Sequence, residues 1–280
     1  MEQRTVQANG LSFGALTCGD DGPLALCLHG FPDSAHTFRH LLPALADAGY
    51  RAVAPWLRGY APTDIPADGD FSLTALAADA NELHEALGGD GDAVLVGHDW
   101  GAMTSYVAAA TDAARWRRVV TMAVPPPKTA AGAFLDYAQL KRSFYIFLFQ
   151  TPLAGLVGMN DLSFIDGLRR DWSPSYDGTE DLAHVKDALR DPANLMAAIG
   201  YYRAMFAASG GGAGDNVPPQ PTRYLHGEAD GAFGIAGVAG ALEELSAGSS
   251  VEILPDVGHF LHLERPDVVN RLVLEWLTTS

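Results

Sequence analysis

Short apolar runs alternate with helical stretches over the first 124 residues of the chain. The runs fall at residues 24–30, 51–56, 93–97 and 119–124, and a helical period of apolar residues ends at Gly88 and Gly89. Strands that are apolar throughout are typical of a parallel sheet that is covered by helices on both faces. This alternation therefore predicts an α/β fold with a mostly parallel central sheet flanked by helices. Ahead of it, Asn9-Gly10 separates two further runs and predicts a hairpin.

The alternation stops at a run of prolines that begins at residue 125. From there to about residue 207 the pattern is helical and aromatic, and a glycine- and proline-rich link follows at 207–221. Strand-like runs resume at 222–227 and 250–255, and Arg265-Pro266 marks the start of a last helix. We therefore predict a core domain made of residues 1–124 and 214–280, interrupted by a helical cap of residues 125–213.

Composition and charge exclude several classes of function. The formal net charge is -16 at pH 7, which argues against nucleic acid or an anionic membrane as the partner. The two cysteines, Cys18 and Cys27, are too few for a disulfide framework or a zinc site. The first ten residues lack the apolar core that a signal peptide has, and we find no run long enough to span a bilayer, no phosphate-binding loop and no dinucleotide fingerprint. We expect a cytoplasmic protein that uses no organic cofactor and no metal.

The segment "GHDWGA", residues 97–102, places Asp99 between a predicted strand and a predicted helix. Small residues on both sides, Gly97 and Gly101, are typical of a nucleophile elbow, in which the central residue occupies a strained turn. An aspartate at this point can also serve merely as the N-cap of the helix. As a nucleophile, a carboxylate can displace a leaving group at a saturated carbon and form an alkyl ester.

Two later loops supply the partners that such a nucleophile requires. His259 follows the last strand-like run, and Asp230 follows the run that ends at Gly227. This gives the order nucleophile, acid and histidine along the chain. Glu228 is a weaker alternative for the acid, and His262 lies between two leucines, where a packing role is the simpler interpretation.

The segment "HGFPDS" ends the first predicted core strand. The backbone N–H groups of Phe31 and Trp100 can together form an oxyanion hole beside Asp99. Pro32 has no N–H to donate, and it restricts the chain directly after Phe31.

Five segments, "HGFPDS", "PWLRGYAPTD", "GHDWGA", "HGEAD" and "GHFLHLERP", occur in an order that resembles the epoxide hydrolases of the α/β-hydrolase fold. The haloalkane and haloacetate dehalogenases are related to them and share the aspartate nucleophile. The resemblance covers nearly the whole chain and implies an α/β-hydrolase fold with a cap. It implies that Asp99 attacks the substrate, that His259 activates water and that Asp230 orients the imidazole. It also implies a cis peptide bond between Phe31 and Pro32.

The resemblance extends to the cap, where epoxide hydrolases carry two catalytic tyrosines. One precedes an F-Q-x-P stretch and corresponds to Tyr145, and the other precedes an arginine and corresponds to Tyr202. Their hydroxyl groups would protonate the epoxide oxygen. Tyr201 is an alternative to Tyr202, and the phenylalanines around Tyr145 are equally typical of a hydrophobic core.

The expected substrates are a small hydrophobic epoxide and water, bound by Phe31, Pro32, Trp100, Tyr145 and Tyr202 in a monomer or homodimer. One alternative is a dehalogenase, in which Trp100 and Trp172 would bind the halide. Against it, haloacetate dehalogenases carry a His-Trp pair where this chain has Tyr145-Ile146, and arginine where it has Trp100. A further alternative is a ligand-binding relative without catalytic activity.

Overall fold

The computed structural model describes residues 1–207 and 217–278 of the chain. Its strands form one eight-stranded sheet in the order β1-β2-β4-β3-β5-β6-β7-β8. They are β1 (Glu2–Ala8), β2 (Leu11–Cys18), β3 (Leu24–Leu28), β4 (Arg51–Pro55), β5 (Val94–His98), β6 (Arg118–Met122), β7 (Thr222–Gly227) and β8 (Ser250–Leu254). The predicted domain boundary between residues 213 and 214 lies outside the described residues.

The sheet is mostly parallel, as its apolar runs predicted. Strand β2 is antiparallel to β1 and β4, whereas the pairs from β4 through β3, β5, β6 and β7 to β8 are parallel. Strands β3 and β5 are buried at every residue. The predicted hairpin joins β1 to β2, and both turn residues, Asn9 and Gly10, have positive φ angles of 45° and 73°. That conformation suits a two-residue hairpin.

Helices flank this sheet and fill the long connection between β6 and β7. They are α1 (Leu41–Asp47), α2 (Leu73–Ala86), α3 (Trp100–Thr111), α4 (Pro127–Ala133), α5 (Tyr137–Arg142), α6 (Phe144–Phe149), α7 (Met159–Trp172), α8 (Thr179–Leu189), α9 (Pro192–Ala207), α10 (Ala241–Glu244), α11 (Leu261–Glu264) and α12 (Pro266–Thr278). We call α4 to α9 the cap helices, and no strand interrupts them in residues 125–207. In the described ranges, no helix is both long and apolar enough to cross a bilayer.

The cap helices are bonded to loops that follow the core strands. Tyr201 of α9 donates from its hydroxyl to the Arg58 carbonyl at 2.7 Å, and the Asn194 side-chain amide donates to the Gly59 carbonyl at 2.7 Å. The Ala188 carbonyl of α8 accepts from the backbone N–H of Ala61. These bonds fix the cap helices above the carboxyl ends of the parallel strands, the edge at which ligands bind in such sheets.

Candidate active site

Asp99 occupies a strained turn between β5 and α3, with φ of 54° and ψ of −116°. Its neighbours must be small, because a Cβ on Gly97 would lie 2.2 Å from the Gly101 carbonyl oxygen and a Cβ on Gly101 would lie 1.8 Å from the Leu28 carbonyl oxygen. The Asp99 side chain makes no capping hydrogen bond to α3. The geometry is therefore that of the elbow rather than of a helix N-cap.

A backbone N–H group holds one oxygen of the Asp99 carboxylate. The N–H of Phe31 donates to Oδ1 at 2.8 Å, and the N–H of Trp100 at the start of α3 favours the charged form of the same carboxylate. A Cβ on Gly30 would lie 2.3 Å from Oδ1, so that only glycine allows this approach. Burial raises the pKa of Asp99, although the nearby imidazole and the two N–H donors oppose that rise. The Phe31-Pro32 peptide bond is cis, which confirms the prediction.

His259 lies between Asp99 and Asp230. Its Nδ1 is 2.9 Å from Asp230 Oδ2, and its Nε2 is 3.7 Å from Asp99 Oδ2. Because a carboxylate only accepts hydrogen bonds, Nδ1–H donates to Asp230 and Nε2 of the neutral ring is free to take a proton. Burial alone would lower the pKa of His259, but the charge and hydrogen bond of Asp230 outweigh it and the pKa is raised.

The structure distinguishes the two candidate acids. Asp230 is buried, and its Oδ1 accepts from the backbone N–H groups of Ala232 and Phe233 at 2.7 and 2.9 Å. Glu228 is exposed. Asp230, and not Glu228, is therefore the carboxylate that is bonded to the imidazole.

A cavity of about 460 Å³ opens above the elbow. Asp99, Trp100, Tyr145, Tyr202 and His259 all line it, together with a mostly apolar set of side chains from the cap helices and the core. Such an apolar cavity with a few convergent polar groups is typical of a small-molecule site.

Two residues predicted to contact the substrate do not lie on this lining. The Phe31 ring is fully buried and packs edge-on against Phe149 and Tyr202, with ring centroids 5.5 and 5.3 Å apart, and Pro32 is also absent from the cavity lining among the described residues. The contribution of Phe31 to the site is its backbone N–H, because the cap aromatics cover its side chain.

Both cap tyrosines are buried and adjacent, with ring centroids 5.6 Å apart. Burial raises the pKa of Tyr145 and of Tyr202, and the neighbouring Asp99 carboxylate adds to each rise, so both hydroxyls stay protonated. Tyr201 is buried too, but its hydroxyl is bonded to the Arg58 carbonyl and it does not line the cavity. The structure thus brings Tyr202, and not Tyr201, to the site.

A second buried cluster, Asp33, His98 and His262, lies beside His259, and its ligand-type atoms are all within 4.8 Å of one another. His98 Nδ1 is 3.9 Å from Asp33 Oδ2, whereas two ligands of a tetrahedral zinc ion are separated by about 3.4 Å. The Arg169 guanidinium lies 3.6 Å from Asp33 and already offsets its charge. The positive charge of Arg169 therefore disfavours a cation at this cluster.

Contacts that were not predicted from the sequence hold the loop that carries His259. The Trp172 carbonyl at the end of α7 accepts from the N–H of His259 at 3.0 Å and of Gly231 at 3.1 Å. The Ser173 hydroxyl donates to Glu264 at 2.6 Å, and Glu264 accepts from the Gly258 N–H at 2.9 Å. The only sequence signal for this support is the position of Glu264 in the same "GHFLHLERP" segment as the histidine.

Comparison with known proteins places this geometry in a family. Residues 23–266 match the family described as alpha/beta hydrolase fold. Epoxide hydrolase 3 of Xenopus tropicalis is 32% identical over 290 residues, which cover 96% of this chain and 75% of that protein. Epoxide hydrolase A of Mycobacterium tuberculosis is 31% identical and covers 99% of this chain and 97% of its own length. The crystal structure of an epoxide hydrolase from Vigna radiata superposes with a TM-score of 0.81 at 26% identity, over 99% of this chain and 97% of that one.

Proposed function

The chain belongs to the epoxide hydrolases of the α/β-hydrolase fold family, and from this premise we propose that it converts a small hydrophobic epoxide to a vicinal diol. The reaction passes through an alkyl ester on Asp99, which water activated by His259 then hydrolyses. The observation that carries the proposal is that Asp99, His259, Tyr145 and Tyr202 all line one apolar cavity.

In the first step Asp99 opens the ring. Oδ1 is held by the Phe31 N–H, so Oδ2 is the oxygen that attacks a ring carbon. A C–O bond forms to Oδ2, the ring C–O bond breaks, and a proton from Tyr145 or Tyr202 passes to the leaving oxygen. An alkoxide is a poor leaving group, and this proton transfer is therefore the assistance that the chemistry requires.

In the second step water attacks the carboxyl carbon of the Asp99 ester. His259 Nε2 takes one proton from that water, and Asp230 stabilises the imidazolium that results. Negative charge develops on Oδ1, where the N–H groups of Phe31 and Trp100 stabilise it. The bond between the carboxyl carbon and Oδ2 then breaks, and Oδ2 leaves as part of the diol and takes the proton from His259. The oxygen of the water stays in the carboxyl group of Asp99, and its remaining proton returns to the tyrosine.

The cavity favours an epoxide over a halide. Tyr145 and Tyr202 line it, and their hydroxyls are the kind of donor that an epoxide oxygen needs. Of the two indoles considered for a halide site, only Trp100 lines the cavity; Trp172 is buried and packs against Tyr145 and His259. A ligand-binding relative without activity is disfavoured because no member of the catalytic set is missing.

The cap helices supply both tyrosines and close the cavity over Asp99. We propose that residues 125–213 act as a cap domain on a core of residues 1–124 and 214–280. The cytoplasmic location and the monomeric or homodimeric state predicted from the sequence stay predictions.

Intact mass spectrometry of His259→Gln tests the proposal, because this variant should form the ester and fail to hydrolyse it. After incubation with styrene oxide, the protein should gain the full mass of the epoxide, since the ring oxygen stays on the carbon skeleton. Peptide mapping should place the addition on Asp99.

The control is a second variant that carries Asp99→Asn together with His259→Gln, and it should gain no mass. A bromoalkane distinguishes the dehalogenase alternative, because its adduct would add only the alkyl group. Addition from the bromoalkane alone, or no adduct from either reagent, would refute the proposal.

A further inference from the structure

Four large apolar side chains line the cavity and are at the same time exposed to solvent. They are Leu140 of α5, Phe147 of α6, and Met205 and Phe206 of α9, with exposed fractions of 37%, 42%, 38% and 56%. The rings of Phe147 and Phe206 face each other across the two helices, with centroids 6.0 Å apart. We call these four residues the rim, because they mark where the cavity reaches the surface.

The rim lies in a part of the chain that is rich in exposed apolar side chains. Of the fifteen large hydrophobic side chains that are exposed among the described residues, ten lie within residues 135–206. Scattered exposed hydrophobic residues are normal, but a grouped set is typical of a binding surface. Since the rim residues also line the cavity that contains Asp99, the continuity indicates that one molecule contacts both.

We propose that the rim is a binding subsite for the alkyl tail of a terminal epoxide whose ring lies at Asp99. The inference rests on the proposed function and extends it to a substrate class, epoxides with one long, uncharged chain. If each heavy atom occupies roughly the 30 Å³ of a water molecule in the liquid, the cavity of about 460 Å³ holds about 15 heavy atoms. An epoxide of about twelve carbons therefore fits within the volume of the cavity that Asp99 and the rim residues both line.

The two ends of the cavity differ in chemistry. Asp99 and His259 are buried at the inner end, and Trp100 and Tyr202 pack beside them with ring centroids 5.1 Å apart. An epoxide ring at Asp99 therefore lies among the reacting groups, whereas a chain directed at the rim meets a lining that is mostly apolar.

The dependence of kcat/KM on the length of the alkyl chain tests whether the rim binds the tail. We would compare kcat/KM for 1,2-epoxybutane and 1,2-epoxydodecane, below their solubility limits, in the wild type and in Phe147→Ala/Phe206→Ala. In the wild type, kcat/KM for 1,2-epoxydodecane should exceed kcat/KM for 1,2-epoxybutane by more than about tenfold, because each added methylene that leaves water improves binding. In the variant the ratio of these two values should fall by about tenfold, because the tail then lacks its aromatic contacts.

The matched control is Leu153→Ala/Leu156→Ala, which removes two exposed apolar side chains of the same region that do not line the cavity. Its ratio should equal that of the wild type. An equal loss in both double variants, or no change in the rim variant, overturns the subsite. So does a change of oligomeric state in the rim variant alone, because the rim would then be a contact between copies of the chain.

Binding of the product separates this inference from the proposed function. Calorimetry with 1,2-dodecanediol and 1,2-butanediol measures binding at the subsite without a reaction. If the wild type hydrolyses neither epoxide but binds dodecanediol through the rim, the proposed function fails and the subsite stands. If it hydrolyses both epoxides and binds both diols equally, the function stands and the subsite is overturned.

Discussion

At the scale of single residues, the proposed reaction requires two groups in their unprotonated forms. Burial raises the pKa of Asp99, and the charge of Asp230 raises that of His259 against the effect of burial. Each group is therefore inactive below its raised pKa, and the rate should fall as the pH decreases through these values. The cap tyrosines have raised pKa values as well, so their protonated forms should persist and activity should hold up to about pH 10.

Asp230→Asn tests whether His259 causes the fall of the rate at low pH, which is the acid limb of the pH profile. Without the carboxylate charge, burial dominates and the pKa of His259 should decrease, so the acid limb of ester hydrolysis should move to lower pH by about one unit. The hydrolysis rate on the plateau should fall on the order of 10³-fold, because the imidazole loses its orientation and its counter-charge. Rapid quenching and mass spectrometry of the Asp99 ester across about pH 5 to 9 measures both effects.

The exposed neighbour Glu228 provides the control, and Glu228→Gln should leave the pH profile in place. An acid limb that stays at the same pH in Asp230→Asn would show that another group titrates.

The position of a site residue could be predicted where its own segment has a recognisable motif. It was harder to predict where two adjacent residues of the same type could fill the role. The glycines around Asp99 and the order of the loops were enough to predict that Asp99 and His259 lie together. The prediction of Tyr202 came from the family resemblance and left Tyr201 as an alternative, because adjacent helical residues differ by about 100° in direction and the sequence does not state which face meets the cavity.

At the scale of elements, the end of α7 holds the loop that carries His259. The Ser173 hydroxyl accepts from the Phe260 N–H at 3.1 Å and donates to Glu264, and Glu264 in turn accepts from the Gly258 N–H. The backbone on both sides of His259 is thus tied to one cap helix. Asp99, by contrast, is held by bonds that do not involve α7.

Glu264→Ala should therefore slow the two chemical steps unequally. We expect hydrolysis of the Asp99 ester to fall by about tenfold or more, because a small misplacement of the base is costly, and ring opening to change little. Single-turnover measurements of ester formation and decay separate the two steps. Glu243→Gln, at an exposed position, is the control. Equal losses in both steps would mean that Glu264 only stabilises the fold.

The elements themselves were largely predictable, because the strands are apolar runs and the hairpin has its own turn signal. The predicted strand at 24–30 ends at Leu28 in the structure, and the others agree within one or two residues. The support of the histidine loop by α7 was not predictable. This support depends on a hydrogen bond from the His259 N–H to the Trp172 carbonyl, 87 positions away. A bond between two backbone groups does not require particular side chains, so the sequence does not indicate it.

At the scale of the whole molecule, buried charges join the cap helices to the core. Asp181 of α8 forms an ion pair with Arg39 of the core, and it lies 3.9 Å from Arg169 of α7. Arg169 continues the chain of contacts, because it lies 3.6 Å from Asp33 and donates to the Pro32 carbonyl at 2.8 Å. Asp181 is only 3% exposed, so its charge is important to both arginines.

Asp181→Asn should lower the free energy of unfolding of the cap helices and the core together. The substitution keeps the shape of the side chain but leaves two largely buried guanidinium groups without this counter-charge, and we expect the free energy of unfolding to fall by about 3 kcal/mol in urea denaturation. Asp187→Asn removes an exposed partner of Arg190 on the same helix and should cost less than about 1 kcal/mol. If the cap and core depend on each other through these charges, fluorescence and circular dichroism should show one coincident transition in both variants. Equal stability of the two variants would mean that the ion pairs do not join the layers, and a separate early transition in Asp181→Asn would mean that the cap helices unfold on their own.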